Sequence, residues 1–318
     1  MVCRVCGSSN TKVLPIGKYA EFFSLRVDTR KDDFLVYVRG DFLQLAPAPF
    51  PVRALRKIGR LLRGPKVKPA VQFRTNMQAC AVCHGTTPCH EYSFQDLQGI
   101  YRDYRSEAYN RDRISVEPGY ARIARDVGSS SLEIANRNAA VDHFLGRNAS
   151  HFSGGAMIDY GGSDGRFILS FAYAQFACIH IYDASEAALH SSVDTRKVRR
   201  IATPCSGAYR FLTCMHVLEH VGSPRELVGE MARLLEPGGL IYIEVPLELS
   251  KSICDAFEQK IIDPPIIIHE HLNIFDRTSI RALIHSVDGL ELVDDAEDVV
   301  EQGWIQGLTG RFLARKVN

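Results

Sequence analysis

One stretch of this sequence, residues 157–167, constrains the fold more than any other. Apolar residues lead into Asp159, a glycine-rich turn covers 161–165, and an apolar run follows from Phe167. This order is typical of a buried strand, a tight turn and the N-terminus of a helix. Glycines let a backbone approach a ligand closely, and the start of a helix offers free N–H groups. The stretch therefore predicts a ligand-binding strand–turn–helix unit.

A second acid follows about twenty residues after the turn. The apolar segment 179–182 ends at Asp183, where a carboxylate can accept hydrogen bonds from ribose hydroxyls. The turn reads Gly-Gly-Ser-Asp-Gly and lacks the Gly-x-Gly-x-x-Gly spacing of dinucleotide sites. The two segments together favour a ligand that contains a single nucleoside.

The turn resembles the first motif of class I S-adenosylmethionine-dependent methyltransferases. Its Asp-x-Gly-x-x-Asp-Gly form is similar to that of the zinc-containing sugar methyltransferases, and the resemblance continues at 213–221 and 234–246. It implies an α/β fold with a Rossmann-like, seven-stranded methyltransferase sheet and S-adenosylmethionine as cofactor. It also implies the cofactor-binding residues, namely Asp159, Gly161, Gly162, Ser163, Gly165, Asp183 and Met215.

The pattern from residue 118 onward alternates between helix and strand, which predicts a parallel sheet with helices on both faces. Helices are expected within 118–147, from Gly165, from Ser185, over 224–235 and near 278–286. Strands are expected at 156–160, 177–182, 198–202, 210–215, 240–245, 290–293 and 305–314. The last two strands have no good helix between them, which suits an antiparallel closing strand.

Composition excludes several classes of protein. The 318 residues carry a net charge of +1, are 46% hydrophobic, and include no apolar run near the roughly 20 residues of a membrane span. The N-terminus lacks the apolar core of a signal peptide, so the expected location is cytoplasmic. No basic–aromatic stripe favours nucleic acid, and the expected partner is a small molecule. The sequence does not specify an oligomeric state.

Two Cys-x-x-Cys pairs stand in the N-terminal third: Cys3 with Cys6, and Cys80 with Cys83. Four thiolates suit a structural Zn²⁺ ion, although 73 residues separate the pairs. Cys89 or His90 could replace one ligand, and the alternative is that all four are reduced thiols without metal. The zinc-containing sugar methyltransferases carry a similar pair of pairs. We therefore expect a zinc-binding or lid module at 1–110 and a methyltransferase domain at 111–318.

Two further features belong to the N-terminal third. Residues 52–68 combine an apolar helical face with a strongly basic one, which indicates either a solvated helix face or contact with an anionic membrane surface or a phosphate-bearing substrate. Tyr101 and Tyr104 occupy the place where the resembled family has a Tyr-x-x-Tyr. They are expected either at the hinge of a lid or in ordinary packing.

Two histidine-rich clusters, 216–220 and 269–275, follow neighbouring strands of the expected sheet and could meet across its cleft. A histidine beside a carboxylate makes a general base. The expected catalytic residues are His271, Glu270 and His216, and Glu270-His271 resembles the Glu-His of the sugar C-methyltransferases. Two alternatives are a divalent metal site and a structural role for Glu219 and His220.

The sequence departs from the sugar C-methyltransferases at two points. Ile268 replaces a tyrosine, and the usual C-terminal domain is expected to be absent. These departures favour oxygen over carbon as the methylated atom. The expected function is therefore methylation of a sugar or sugar-containing small molecule in glycan or natural-product biosynthesis. The alternatives are a sugar C-methyltransferase, a methyltransferase of a lipid-linked or aromatic acceptor, and a non-catalytic zinc-containing binding protein.

Overall fold

The computed structural model describes residues 1–19, 74–101, 103–104, 106–126, 131–184, 188–248, 266–268, 270–302 and 305–317. The basic stretch 52–68 and His269 of the second histidine cluster lie outside the described residues. The helices are α1 Phe94–Tyr101, α2 Glu107–Val116, α3 Tyr120–Asp126, α4 Ser131–Arg147, α5 Ser170–Gln175, α6 Pro224–Leu234 and α7 Arg277–His285. The strands are β1 Thr11–Tyr19, β2 Arg74–Cys80, β3 Thr86–Pro88, β4 Ala156–Tyr160, β5 Cys178–Tyr182, β6 Val198–Arg200, β7 Tyr209–Met215, β8 Leu235–Pro246, β9 Ile266–Ile268, β10 Leu290–Gln302 and β11 Ile305–Lys316.

The larger sheet has seven strands in the order β10-β11-β8-β7-β4-β5-β6. The five consecutive strands β8, β7, β4, β5 and β6 are parallel to one another. The strand β11 runs antiparallel to both of its neighbours. This arrangement confirms the predicted Rossmann-like sheet, including its antiparallel closing strand.

Helices cover both faces of this sheet. On one face, α6 and α7 bury an apolar stripe that includes Val228, Met231 and Leu283 against residues such as Leu212 and Ile243. The other face carries α4 and α5. The core on this side includes Val141, Phe144, Ala172, Met157, Phe211, Tyr242 and Leu313. Because alternate strand residues point to opposite faces, the strands β4, β7, β8 and β11 each contribute side chains to both cores.

Local sequence signals set the ends of the two helices behind the site. Pro224 occupies the first turn of α6, where its missing N–H costs no helical hydrogen bond. A capping box starts α7: the Asp276 carboxylate accepts from Ser279 N at 2.7 Å, and Ser279 Oγ accepts from Asp276 N at 2.9 Å. Both helices match the predicted spans to within two residues.

A smaller, four-stranded sheet in the order β3-β2-β1-β9 carries the cysteine pairs. The strands β1 and β2 are antiparallel, and Thr11 lies opposite Cys80, so the sheet closes the 73-residue gap between the pairs. The strand β9 follows β8 in the chain and pairs in parallel with Gly17–Tyr19. The N-terminal sheet is thus completed by a segment from the C-terminal half of the chain.

Two predicted helices differ from the structure. The chain after the glycine turn first makes turn hydrogen bonds, including Ile168 N to Gly165 O at 3.1 Å, so the helix begins only at Ser170. The described residues 188–197 form turns in place of the helix predicted from Ser185. There His190 N donates to Asp164 O at 2.9 Å, which folds this segment back against the glycine turn.

Candidate active site

The glycine turn leaves β4 and bends sharply against β5. Gly161 has φ +77° and Gly165 has φ +79°, both in the left-handed region that favours glycine. Gly161 N donates to Tyr182 O at 2.7 Å, and Gly165 N donates to Gly162 O at 2.8 Å. The turn is therefore fixed by its own backbone and by the end of the neighbouring strand.

Side chains would not fit at this turn. A Cβ at Gly161 would lie 2.4 Å from Val217 Cγ2, and one at Gly162 would lie 2.4 Å from Asp159 Oδ2. A Cβ at Gly165 would lie 2.7 Å from Ile181 Cδ1. The three glycines thus let this turn, here called the glycine cradle, pack directly against Val217, Asp159 and Ile181, where any side chain would collide.

Asp159 lies beneath this turn and is almost fully buried. Its Oδ1 accepts from Thr213 Oγ1 at 2.7 Å, whereas Oδ2 has no hydrogen-bond partner among the described residues. Burial raises the pKa of Asp159 to about 6, although the Thr213 hydrogen bond opposes the shift. A buried carboxylate oxygen without a partner fits a site that a polar ligand completes.

Asp183 stands at the end of β5, beside the turn. Its Oδ2 accepts from Ser163 N at 2.8 Å, and Ser163 itself has φ +46°. Arg200 donates to the backbone oxygen of Ser163 from the next strand. The two predicted cofactor-binding segments therefore meet at one edge of the sheet, where the carboxyl ends of parallel strands lie.

His216 follows β7 with φ +56° and lies between two buried carboxylates. Its Nδ1 is 3.3 Å from Glu219 Oε1, and its Nε2 is 3.3 Å from Glu244 Oε1. Burial opposes the charged ring, but hydrogen bonds with both carboxylates outweigh it and raise the pKa of His216. Met215, which precedes it, lies opposite Glu244 in the β7–β8 register.

The two histidine clusters do meet, as the sequence predicted. The rings of His220 and His271 lie 4.9 Å apart in an edge-to-face contact. One donor atom from each of Glu219, His220 and His271 lies within 4.8 Å of the others. Burial opposes ionisation of Glu219, but the histidines outweigh it and lower the pKa of that carboxyl to about 2. Glu219 is thus a buried anion that the surrounding imidazoles stabilise.

The carboxylate paired with His271 is Glu248, from the segment just after β8. Glu270, the carboxylate next to His271 in sequence, turns toward Arg113 and accepts from Tyr109 Oη at 3.1 Å. Burial opposes ionisation of Glu270, but Arg113 outweighs it and lowers the pKa of that carboxyl. The three predicted catalytic residues lie around one cleft, and their catalytic roles stay predictions.

Several residues of the site had no signal in the sequence. Glu248 and Arg113 reach the cleft from segments without a recognisable motif. Arg137 on α4 donates to Glu244 Oε1 at 2.7 Å, beneath His216. Tyr101 Oη lies 2.9 Å from His220 Nδ1 and donates to Glu270 O at 3.0 Å. Of these residues, the sequence indicated only Tyr101, through the Tyr-x-x-Tyr resemblance, and its hydroxyl contacts His220 and Glu270 of the site.

The four predicted metal ligands form one cluster. The Sγ atoms of Cys3 and Cys83 are 3.7 Å apart, as are those of Cys6 and Cys80, and all four lie within 4.8 Å of one another. Four thiolates placed about 2.3 Å from a tetrahedral Zn²⁺ would be about 3.8 Å apart. The donor set and its spacing therefore fit zinc, with no position left open for a reactant.

The loop that follows Cys83, residues 84–86, holds the segment that carries His271 in place. Thr86 and Ile274 exchange backbone hydrogen bonds at 3.2 and 2.9 Å, and His84 Nδ1 lies 3.0 Å from Asp276 Oδ2. On its other side, Asn273 Nδ2 donates to Leu218 O at 2.8 Å. Residues 270–276 are thus held between the cysteine module and the turn that carries Glu219.

Within the residues that the structure describes, no helix combines the length and the apolar character needed to cross a bilayer.

The methyltransferase domain family model, Methyltransf_23, matches residues 134–294, which is just over half of the chain. The chain belongs to the methyltransferase domain family. The matched region contains the glycine turn, Asp183, His216 and His271, and family membership confirms the prediction of a methyltransferase.

This methyltransferase is similar to several curated proteins over short stretches. It is 38% identical over 69 residues to the ubiquinone biosynthesis O-methyltransferase of Cronobacter sakazakii, a match that covers 20% of this chain and 28% of that protein. It is 29% identical over 97 residues to the enzyme of the same name from Thiobacillus denitrificans, covering 30% of this chain and 40% of that protein. The chain thus spans less than half the length of these relatives.

The chain is also similar to two solved methyltransferases. The 1,6-didemethyltoxoflavin-N1-methyltransferase of Burkholderia thailandensis, solved with its substrate and S-adenosylhomocysteine, is 14% identical; the match covers 74% of this chain and 96% of that one, with a TM-score of 0.48. The magnesium protoporphyrin IX methyltransferase of Synechocystis PCC 6803, solved with S-adenosylhomocysteine, is also 14% identical. That match covers 70% of this methyltransferase and all of the other chain, with a TM-score of 0.47.

Proposed function

We propose that this methyltransferase moves a methyl group from S-adenosylmethionine to a hydroxyl oxygen of a sugar-containing small molecule. The observation that carries the donor assignment is the tightly packed glycine cradle at the carboxyl end of β4, with Asp183 fixed beside it through Ser163 N at 2.8 Å. Family membership supports the reaction type. The choice of a sugar acceptor rests on the resemblance in the cysteine pairs and in Glu270-His271.

Residues on both sides of the cradle would hold the donor. The turn formed by Gly161, Gly162, Ser163 and Gly165 would face its methionine part, with Asp159 beneath, and Asp183 would accept hydrogen bonds from its ribose hydroxyls. Met215 would border the transferred group. When bound, S-adenosylmethionine supplies a methyl group that its sulfonium already activates for in-line displacement. The protein needs to align the acceptor, exclude water and take one proton.

The acceptor half of the cleft carries the groups that could take that proton. His271 has a carboxylate partner and a side chain that is 36% exposed, so its ring can reach an incoming hydroxyl. His216, whose two ring nitrogens face Glu219 and Glu244, would border the acceptor and keep both buried carboxylates in place. We assign His271 the role of general base, His216 the role of shaping the acceptor side of the site, and Glu270 the role of adding negative charge near the His271 ring.

A phenolic acceptor is the second candidate. The curated relatives described above are named as O-methyltransferases of ubiquinone biosynthesis, which favours oxygen as the methylated atom and allows an aromatic substrate.

We further propose that the cluster of Cys3, Cys6, Cys80 and Cys83 binds one structural Zn²⁺. The support is the 3.7 Å spacing of thiols between the two pairs (Cys3 to Cys83, and Cys6 to Cys80) and the N–H groups that approach the sulfurs, including Gly85 N at 3.4 Å from Cys83 Sγ. A closed four-thiolate site contributes folding energy and no chemistry. Metal analysis of the purified protein should return one zinc per chain, and a Cys83→Ser variant should lose it.

Calorimetry and a methyl-transfer assay test the function in sequence. Titration with S-adenosylmethionine should show binding at one site per chain. A tritiated-methyl assay should then label at least one member of a panel of nucleotide-linked sugars, free deoxysugars and catechols. Absence of donor binding at millimolar concentration would contradict the assignment, and labelling confined to catechols would replace the sugar acceptor by a phenolic one.

A further inference from the structure

The carboxylate that positions His271 is not its neighbour in sequence. His271 Nδ1 pairs with Glu248 Oε1, and the two side chains are about equally exposed, at 36% and 35%. The backbone ties the two segments together nearby, because Glu248 N donates to Phe275 O at 3.0 Å. The pair is therefore a fixed contact between the segment after β8 and the segment 270–276.

Glu270 is committed elsewhere. Its carboxylate pairs with Arg113, whose side chain is only 4% exposed, and accepts from Tyr109 Oη. Arg113 also reaches Glu117 Oε2 at 3.0 Å and lies over the Tyr120 ring at 3.7 Å. A carboxylate held in such a network anchors α2 to the cleft, and it cannot turn to His271 without leaving a buried guanidinium with one fewer partner.

We propose that Glu248 is the positioning residue of His271: its carboxylate accepts a hydrogen bond from Nδ1–H, fixes that tautomer and leaves Nε2 to take the proton of the acceptor. This inference rests on the proposed function of His271 as the base. The arrangement has the same logic as the carboxylate–histidine pair of hydrolytic triads, where the carboxylate orients the ring and stabilises the imidazolium.

The proton and electron balance is complete with this pair. The acceptor oxygen forms a bond to the methyl carbon while the carbon–sulfur bond breaks, and the sulfur keeps the electron pair. The acceptor proton moves to His271 Nε2, which makes an imidazolium beside the Glu248 carboxylate. The imidazolium later returns its proton to water, so no further reactant is required.

The charged groups around His271 come from four elements. Glu248 follows β8, Glu219 and His220 follow β7, Glu270 precedes the ring in its own segment, and Arg113 on α2 pairs with Glu270. Burial opposes protonation, but Glu248 first, and then Glu219 and Glu270, outweigh it and raise the pKa of His271 to about 9. Because Glu219 is engaged by His216 and Glu270 by Arg113, we expect Glu248 to dominate the behaviour of the ring.

Nitrogen-15 spectroscopy of histidine-labelled protein tests the pair without an acceptor, because long-range couplings report both the tautomer and the pKa of a ring. His271→Asn identifies the signal. In the wild type we expect the neutral ring to carry its proton on Nδ1. In Glu248→Gln the pKa of His271 should fall by at least one unit and the tautomer should become mixed, whereas Glu248→Asp should restore most of both. Glu270→Gln, the matched control, should leave the tautomer unchanged.

An unchanged His271 signal in Glu248→Gln, or a larger change in Glu270→Gln, would overturn the inference. Calorimetry with S-adenosylmethionine on each variant separates this failure from that of the proposed function. A variant that binds the donor normally has kept its fold, so a change in its His271 signal reports on the pair. A wild-type protein that fails to bind the donor would refute the proposed function and would leave the Glu248–His271 contact untouched. Once an acceptor is known, Glu248→Gln should lower kcat at least tenfold with little change in the KM for the donor.

Discussion

At the scale of single residues, the structure separates side chains that shape space from side chains that carry charge. Gly161 and Gly162 matter because a Cβ at either position would lie 2.4 Å from another heavy atom. His216 and His271 matter because each faces at least one carboxylate that stabilises its charged form. The two kinds of residue respond differently to substitution, and each kind yields a distinct prediction.

Substitution of Gly162 by alanine should distort the glycine cradle, because the turn must move to avoid a collision. The new Cβ would lie against Asp159 Oδ2, which can move little because it is buried, so we expect binding of S-adenosylmethionine to weaken at least tenfold in calorimetry. Gly146 near the end of α4 is the control, since a Cβ there meets nothing within 4 Å. Its alanine variant should bind the donor normally and be slightly more stable. Equal donor affinity in the two variants would contradict the assignment of the turn.

Removal of the Glu270 carboxylate should destabilise the fold. Glu270→Ala leaves Arg113, which is 4% exposed, without its partner across the cleft, and breaking a buried pair typically costs about 3–5 kcal/mol in the free energy of unfolding. Chemical denaturation measures this loss. Glu291→Ala, at an exposed position on β10, should change stability by less than about 0.5 kcal/mol. A loss below 1 kcal/mol for Glu270→Ala would show that the Arg113 guanidinium stays stable in its buried site without the Glu270 carboxylate.

The rate of methyl transfer should rise with pH. A base must be neutral to accept a proton, and the pKa of His271 is raised to about 9, so the competent fraction grows about tenfold per pH unit below that value. We expect kcat with a saturating acceptor to increase from pH 6.5 and to level off near pH 9. In Glu248→Gln the plateau should begin at lower pH. A flat profile between pH 6.5 and 9 would exclude His271 as the base.

At the scale of elements, the sequence predicted the strands of the core better than the contacts of the site. Apolar runs and turn residues identified β4, β5, β7 and β8, because burial on a parallel sheet leaves a strong local pattern. The strand β1 was missed, since its stability comes from pairing with a segment more than 50 residues away. The contact between Glu248 and His271 has no local pattern either, because it depends on how two loops fold toward each other.

Metal removal should loosen an element that lies outside the cysteine module. If Zn²⁺ holds the four thiols, a chelator or Cys83→Ser should release the loop that carries His84 and Thr86. Ile274 then loses its backbone partner, and we expect faster hydrogen exchange across 272–276 as well as in β2. The amides of β4 and β5, far along the sheet, should keep their protection. Unchanged exchange at 272–276 would show that this segment is held by the core alone.

At the scale of the whole molecule, the two predicted regions share one interior. Cys3, Val5 and Cys83 belong to the same apolar cluster as Ile243 of the larger sheet and Phe275 of the segment before α7. The sheet of the N-terminal module also takes its fourth strand, β9, from the C-terminal half. We propose that the regions 1–110 and 111–318 are distinct in sequence and unfold as one cooperative unit.

Separate production of residues 111–318 tests this proposal. The fragment exposes the apolar surface that contacts Val5 and Cys83, and it leaves β9 without a partner. We therefore expect a melting temperature at least 10 °C below that of the whole chain, or aggregation, in a calorimetric scan. The full-length protein should melt in a single transition. Two separate transitions, or a fragment as stable as the whole chain, would contradict the proposal.

The position of β9 has a consequence for how the protein is made. Ribosomes release the chain from its N-terminus, and domains generally fold in the order of their synthesis. Here the strands β1, β2 and β3 are available once residue 88 has emerged, whereas their parallel neighbour at 266–268 arrives about 180 residues later. During that interval the edge strand β1 of the newly made sheet has no partner on one side. Early binding of a metal ion by the four thiols would therefore protect the nascent module from misassembly.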